Sequence, residues 1–289
     1  MKSFLNTKEP FAVRNEAHNA YLGMFPDGDP EFILNAFRWT TDSFMGRYKD
    51  YQPIDALYHD LEHTLQGTLC LVHLLSGRAA TGTQPRLDRK TFELGLLAIL
   101  LHDTGYLKHN NDVGGTGAKY TFIHVGRSAE FAKELLEEKG FSPDEVSSVQ
   151  NMIRCTGIKL KIDSIPFQSE LEREIGQAVG TADLLGQMAA GDYPYKLSML
   201  FLEFSEAARR DTENGASQPQ FQSAEELIRN TPNFWENLVK PKLDWELGGV
   251  HRHLAGPDGR NDYFERIERN IDDIRRQIAV MPENRLAVA

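Results

Sequence analysis

Apolar residues recur along most of this chain at the three-and-four spacing that builds one face of a helix. In EFILNAFRWTTDSFMGRY the spacing is kept by Phe32, Ile33, Ala36, Phe37 and Phe44. Over residues 57–75 it is kept by Leu57, Leu61, Leu65, Leu69 and Val72. TFELGLLAILLHD is apolar nearly all round, which predicts a buried central helix. Leu and Ala dominate it over β-branched residues, which argues against a buried strand. Further helices are predicted over 128–139, stopped by Gly140, and over 174–188, 195–210 and 263–278. Another starts at Ser142, with Pro143 at its first position and Glu145 at its third. SGRAATGTQPRLDRK, GYLKHNNDVGGTGAKYT, NGASQPQFQS and AGPDGRND read as loops, and residues 1–30, broken by Pro26, Gly28 and Pro30, as an irregular arm. There is no repeat and no strand pattern, so the expected fold is all-α, a helical bundle in one domain.

Composition narrows the function classes. The 289 residues carry 40% hydrophobic residues and a net charge of −10, which disfavours a nucleic-acid surface. A small anionic substrate stays open, because a metal ion supplies positive charge locally. Two cysteines, Cys70 and Cys155, make no disulfide framework and suit a reducing compartment. MKSFLNTKEP lacks an apolar signal core, and the aliphatic run LLAILL is too short to span a bilayer. A cytoplasmic location and no membrane partner are expected; a homodimer stays open.

The chemistry begins at LYHDLEHTLQ, where His59 and His63 stand four apart with Asp60 after the first. On a helix, two such imidazoles share a face and could bind one metal. A zinc protease writes this as H-E-x-x-H, with the acid one methylene longer. His102 and Asp103 end the buried helix, where its dipole favours a cation. Asp183 lies inside the apolar stretch GTADLLGQM with no Lys or Arg within a turn. His63, His102, Asp103 and Asp183 form a mixed N/O set suited to Zn, Mn, Fe or Mg.

The order H, then HD, then D resembles the HD superfamily of metal-dependent phosphohydrolases, from Leu57 to about Gln187. YHDLEHT is similar to the Y-H-N-x-x-H-A segment of class I cyclic nucleotide phosphodiesterases, and TADL to their A-D-L segment. The resemblance implies a bundle of the HD type over 55–210, an arm and helix over 1–54 and a helical extension over 211–289. It implies a divalent cation (Mn, Mg, Zn, Co or Fe), one or two per chain, held by His63, His102, Asp103 and Asp183. His59 becomes the proton donor, and Asp103 the ligand placed to bridge a second ion. The implied substrate is a small phosphoester, a nucleotide or cyclic nucleotide. The departures are Asp60 for Asn, Thr64 for Ala and TGYLKH after the HD pair; Gln187 lies too early to match the purine-clamping glutamine.

Other residues are read beside these. His124 resembles the extra histidine that lets some HD proteins hold a second metal, with a substrate contact as the alternative. Lys108 and His109 are candidate phosphate contacts or a solvated loop. Tyr106 reads as packing, Cys155 as pocket wall, and Glu203 as an ion-pair partner of Arg209 and Arg210. GGTGAK lacks the Gly-Lys-Ser/Thr of a phosphate-cradling loop. Two other classes remain: a di-iron oxygenase on the same ligands, and a nucleotide sensor that does not hydrolyse.

Overall fold

Helix starts follow the capping chemistry written in the chain. Ser142 accepts a hydrogen bond from the Glu145 N–H while the Glu145 side chain returns to the Ser142 backbone, the reciprocal box expected there. Asp29, Asp88, Ser169, Ser223 and Asn261 cap other helices through their side chains.

The computed structural model describes residues 5–213 and 220–281. Its helices are α1 (Pro10–Met24), α2 (Pro30–Phe44), α3 (Leu61–Ala80), α4 (Arg89–Leu101), α5 (His124–Glu138), α6 (Pro143–Arg154), α7 (Glu170–Met188), α8 (Tyr193–Glu213), α9 (Ala224–Phe234), α10 (Lys240–Asp244) and α11 (Asp262–Val280). Pairing of extended backbone is confined, among the described residues, to two isolated bridges, Tyr51 with His109 and Ala255 with Asn261. The fold is all-α. One core runs from Val13 on α1 to Ile274 on α11. As expected of a central helix, every residue of α4 from Phe92 to Leu101 is buried. No helix among the described residues is long and apolar enough to cross a membrane.

Two expectations need correction. The arm over 1–30 is largely helical: Val13, Ala17 and Tyr21 are fully buried at four-residue intervals, a narrow stripe overshadowed by the breakers at 26–30. The helix expected from Leu57 starts at Leu61, because Asp60 accepts from the His63 N–H and ends the non-helical run; Leu57 is 53% exposed. The stretch 224–244, left unassigned by periodicity, forms α9, a π-helical turn over Trp235–Val239 and α10. Most of the NGASQPQFQS loop, residues 214–219, lies outside the described residues.

The contact that positions the site is between α3 and α7. A Cβ on Gly186 would lie 2.6 Å from the Gln66 carbonyl oxygen and 2.7 Å from the Gly67 nitrogen. Glycine there lets two backbones approach closely. Gly186→Ala is expected to force the helices apart and lower stability by about 1–3 kcal/mol. Chemical denaturation would measure this; a wild-type midpoint would show that the crossing is not tight.

Candidate metal centre

Three helices deliver four donor residues to one point. His63 stands in the first turn of α3, His102 is the C-cap residue of α4 with Asp103 next to it, and Asp183 is in the C-terminal half of α7. His63 Nε2 lies 3.1 Å from Asp103 Oδ2 and 3.2 Å from Asp183 Oδ1; His102 Nε2 lies 3.2 Å and 3.3 Å from the same atoms. All four residues are at least nine-tenths buried.

Hydrogen bonding fixes how the His102 ring meets the two carboxylates. Its Nδ1 is 2.7 Å from the Ile99 carbonyl oxygen, which can only accept, so Nδ1 carries a hydrogen. In a neutral ring Nε2 would then turn a lone pair towards two carboxylates. That is tolerable only with a second proton or a cation between them. His102 Nε2 and Asp103 Oδ2 make no hydrogen bond despite their proximity, as expected of ligands converging on a shared point. An imidazole with Nδ1 tied to a backbone carbonyl is also the usual support of a metal-bound histidine. The donor set fits a divalent cation.

Without a cation, protons take its place. Burial opposes charge on His63, but Asp103 and Asp183 outweigh it and raise His63 to about 9. His102 is raised well above its usual value against the same burial by the same two carboxylates. Burial favours the neutral carboxyls, yet His102 and His63 hold Asp103 and Asp183 below the usual carboxylate range. Two imidazolium rings against two carboxylates carry the charge of one divalent ion. Cation binding below pH ~9 should therefore release about two protons, read as the slope of calorimetric enthalpy against buffer ionisation enthalpy. A slope near zero would contradict this.

The sign for stability follows. A raised histidine stabilises the metal-free fold fully below its unfolded value of ~6.5, and that gain is lost as pH rises through about 9. The depressed carboxylates stabilise above ~3.9 and lose that gain in acid. The melting temperature of metal-free protein should fall between pH 6.5 and 9, while the increment from added cation grows. A metal-free melting temperature that rises over this interval would rule out the imidazolium cluster.

A second layer surrounds the four. His59 precedes the N-cap Asp60, and its Nδ1 lies 2.5 Å from Glu203 Oε2 on α8. Glu203 also accepts from the backbone N–H of Tyr58 at 2.7 Å and of His59 at 3.3 Å. Burial works against the Glu203 carboxylate, but His59 and those two N–H groups keep its carboxyl below the ordinary range. Glu203 is thus the partner of His59, in place of the expected pairing with Arg209 and Arg210. Tyr106, expected as packing, is fully buried and stacks on both His59 and His124, with ring centroids 4.6 Å and 4.9 Å away. The Tyr58 hydroxyl donates to Gln187 Oε1 at 2.7 Å, and Gln187 Nε2 donates to Asp183 Oδ1 at 3.3 Å. Gln187 therefore braces Asp183.

His124 reaches the edge of the cluster, with Nε2 3.7 Å from Asp103 Oδ1 and Nδ1 2.6 Å from the Thr121 carbonyl oxygen. His59, His63 and Asp103 also offer atoms within 4.8 Å of one another, as do His63, His102 and Asp183. Lys108 and His109 are engaged elsewhere. Lys108 is buried, paired with Asp55 at 2.7 Å and bonded to the Gly115 carbonyl. His109 is exposed and stacks on Tyr51 at 4.3 Å. Cys155 lies in the core, where its Sγ would be 2.8 Å from a Cβ on Gly176.

Among curated proteins none matches the chain. A family model, Npun_R2479-like, matches residues 109–258. The matched half carries His124, Asp183 and Glu203, and His59, His63, His102 and Asp103 precede it. That match spans more than half of the 289 residues, and the chain belongs to the Npun_R2479-like family.

Proposed function

We propose that this chain is a metal-dependent phosphohydrolase of the HD type, cleaving a phosphoester of a small substrate such as a nucleotide or cyclic nucleotide. The observation that carries the reading is the convergence of two Nε2 atoms and two carboxylates on one buried point, beside a separate His59–Glu203 pair. His63, His102, Asp103 and Asp183 would hold the cation. A divalent ion there lowers the pKa of water in its shell and offsets charge on phosphoryl oxygens. The chain's own groups supply the rest. Glu203 fixes the His59 ring through Nδ1 and leaves Nε2 to hand a proton to the leaving oxygen. Tyr106 holds that ring in plane from one side. Gln187 and Tyr58 keep Asp183 turned inward.

Asp60 stands where the class I phosphodiesterase segment has Asn. It serves as an N-cap, with its side chain 2.8 Å from the His63 nitrogen. Asn and Asp are near-equal caps, so the exchange is compatible with this helix start.

A screen of phosphomonoesters and phosphodiesters with Mn, Mg, Zn, Co or Fe tests the reading. Turnover that depends on the cation and is lost on chelation is expected; no turnover of any phosphoester by metal-replete protein would refute it. The nearness of His124 to Asp103 favours a second reading, a two-cation site of the di-iron oxygenase kind. Two irons per chain by elemental analysis, with oxygen-dependent substrate loss, would select it.

A further inference from the structure

We infer that the chain holds a second ligand site, for a free α-amino acid with a side-chain amide, in a cavity of about 290 Å³ one helical turn from the metal centre. α3 lines it with Glu62 and Gln66, the end of α7 and the turn after it with Gly186 and Asp192, α11 with Arg266, and residues 5–8 complete it. Gln66 follows His63 by three residues on α3, and Gly186 follows Asp183 by three on α7, a rise of about 4.5 Å. None of His59, His63, His102, Asp103 and Asp183 lines the cavity. It is a separate site, whatever reaction the centre carries out.

Gln66 points to a ligand. Its residue is 7% exposed and lines the cavity, yet its side-chain amide is hydrogen-bonded to no group among the described residues. A buried amide left without a partner lowers stability. The amide presents a donor and an acceptor side by side, so another amide satisfies both at once by exchanging two hydrogen bonds with it.

Charge selects the rest of the molecule. Glu62 and Asp192 both approach Lys196 Nζ, at 3.3 Å and 3.9 Å, which gathers their carboxylates at one end of the cavity. Both distances are long for a charge-assisted hydrogen bond, so each carboxylate keeps capacity to accept. Lys196 also lies 3.4 Å from Asp60, and that pair cancels. The lining itself then carries Glu62 and Asp192 against Lys8 and Arg266, balanced in sum, with the two signs on different elements. A dianion would be repelled by the carboxylates and a dication by the guanidinium and ammonium, whereas a zwitterion uses both. Its ammonium meets Glu62 and Asp192, its carboxylate takes the fork of Arg266, and its side-chain amide reaches Gln66. Leu69, Ala189 and Ala190 give the carbon chain an apolar wall.

The test titrates the Mn-loaded full chain with L-glutamine and L-asparagine in a calorimeter. N-acetyl-L-glutamine, which lacks the ammonium, L-glutaminamide, which lacks the carboxylate, and L-glutamate, which lacks the amide, serve as comparisons. At least one of the two amides should bind with a Kd below about 1 mM, and each comparison should bind at least about tenfold more weakly. Gln66→Leu and Arg266→Met should each weaken that binding by at least about tenfold while Mn affinity stays at the wild-type value. Arg266 is only half-buried, so Arg266→Met decides should Gln66→Leu fail to fold. No binding of either amide at about 10 mM overturns the inference. So does binding that survives both substitutions, which would place the amino acid on the Mn ion, and so does N-acetyl-L-glutamine binding as tightly as L-glutamine. Phosphoester turnover is untouched by any of these results.

Discussion

Asp183→Ala is expected to strip the cation and, with it, most of the stability the cation confers. Asp183 Oδ1 contacts both His63 Nε2 and His102 Nε2, so its removal takes away one donor of four. A cation present at ~100–1000 times its dissociation constant adds about 2.7–4.1 kcal/mol to a fold that alone binds it. The variant should forfeit that increment, so that added metal no longer raises its melting temperature. Phosphoester turnover should fall by at least about a hundredfold, since replacing even an outer partner of a ligand commonly costs 10–100-fold. Metal content by mass spectrometry and melting curves with and without cation decide the matter. Full metal with full activity in Asp183→Ala would end the metal-centre reading.

His59→Ala should fail differently. The four donors remain, so metal content and melting temperature stay near wild type while turnover drops by roughly 10²–10⁴. A 4-nitrophenyl ester, whose leaving oxygen needs little protonation, should be hurt less than an alkyl ester. Glu203→Gln keeps the size of the side chain but replaces the carboxylate that meets His59 Nδ1 at 2.5 Å. It should reproduce the leaving-group pattern of His59→Ala in weaker form, which a purely structural role for Glu203 would not do. Loss of metal from His59→Ala would instead make His59 a ligand, in keeping with the distances that group it with His63 and Asp103.

Asp183 was legible as a carboxylate in an apolar stretch with no Lys or Arg within a turn, and His102 with Asp103 as a polar pair closing a buried helix. His63 was legible through its four-residue spacing from His59 and the order H, HD, D, which is also what linked the four. Glu203 was not legible: 144 residues separate it from His59, and the rotation of α8 about its axis is set by tertiary packing. Arg209 and Arg210, further along the same segment, pointed to a structural ion pair instead. Lys108 misled for a related reason. A lysine in a polar glycine-rich loop reads as available, but the loop folds back so that Asp55 and the Gly115 carbonyl take its ammonium. The start of α3 was misplaced because Leu57 continues the apolar spacing of the helix, whereas the capping bond from Asp60 decides where the helix begins. α1 was hidden by the breakers that follow it.

The depth of the donors also sets a timescale. His63, His102 and Asp103 are 3%, 1% and 1% exposed, and Asp183 is 9% exposed. A cation held at that depth would leave through local opening of the helices around it. Departure is then limited by the protein's own breathing rather than by the strength of the ligand bonds. Chelator should extract the ion at a rate that stops rising with chelator concentration. The ion captured as the chain folds would stay through many turnovers, so the metal found in purified protein would record the supply at synthesis more faithfully than the intrinsic order of affinities.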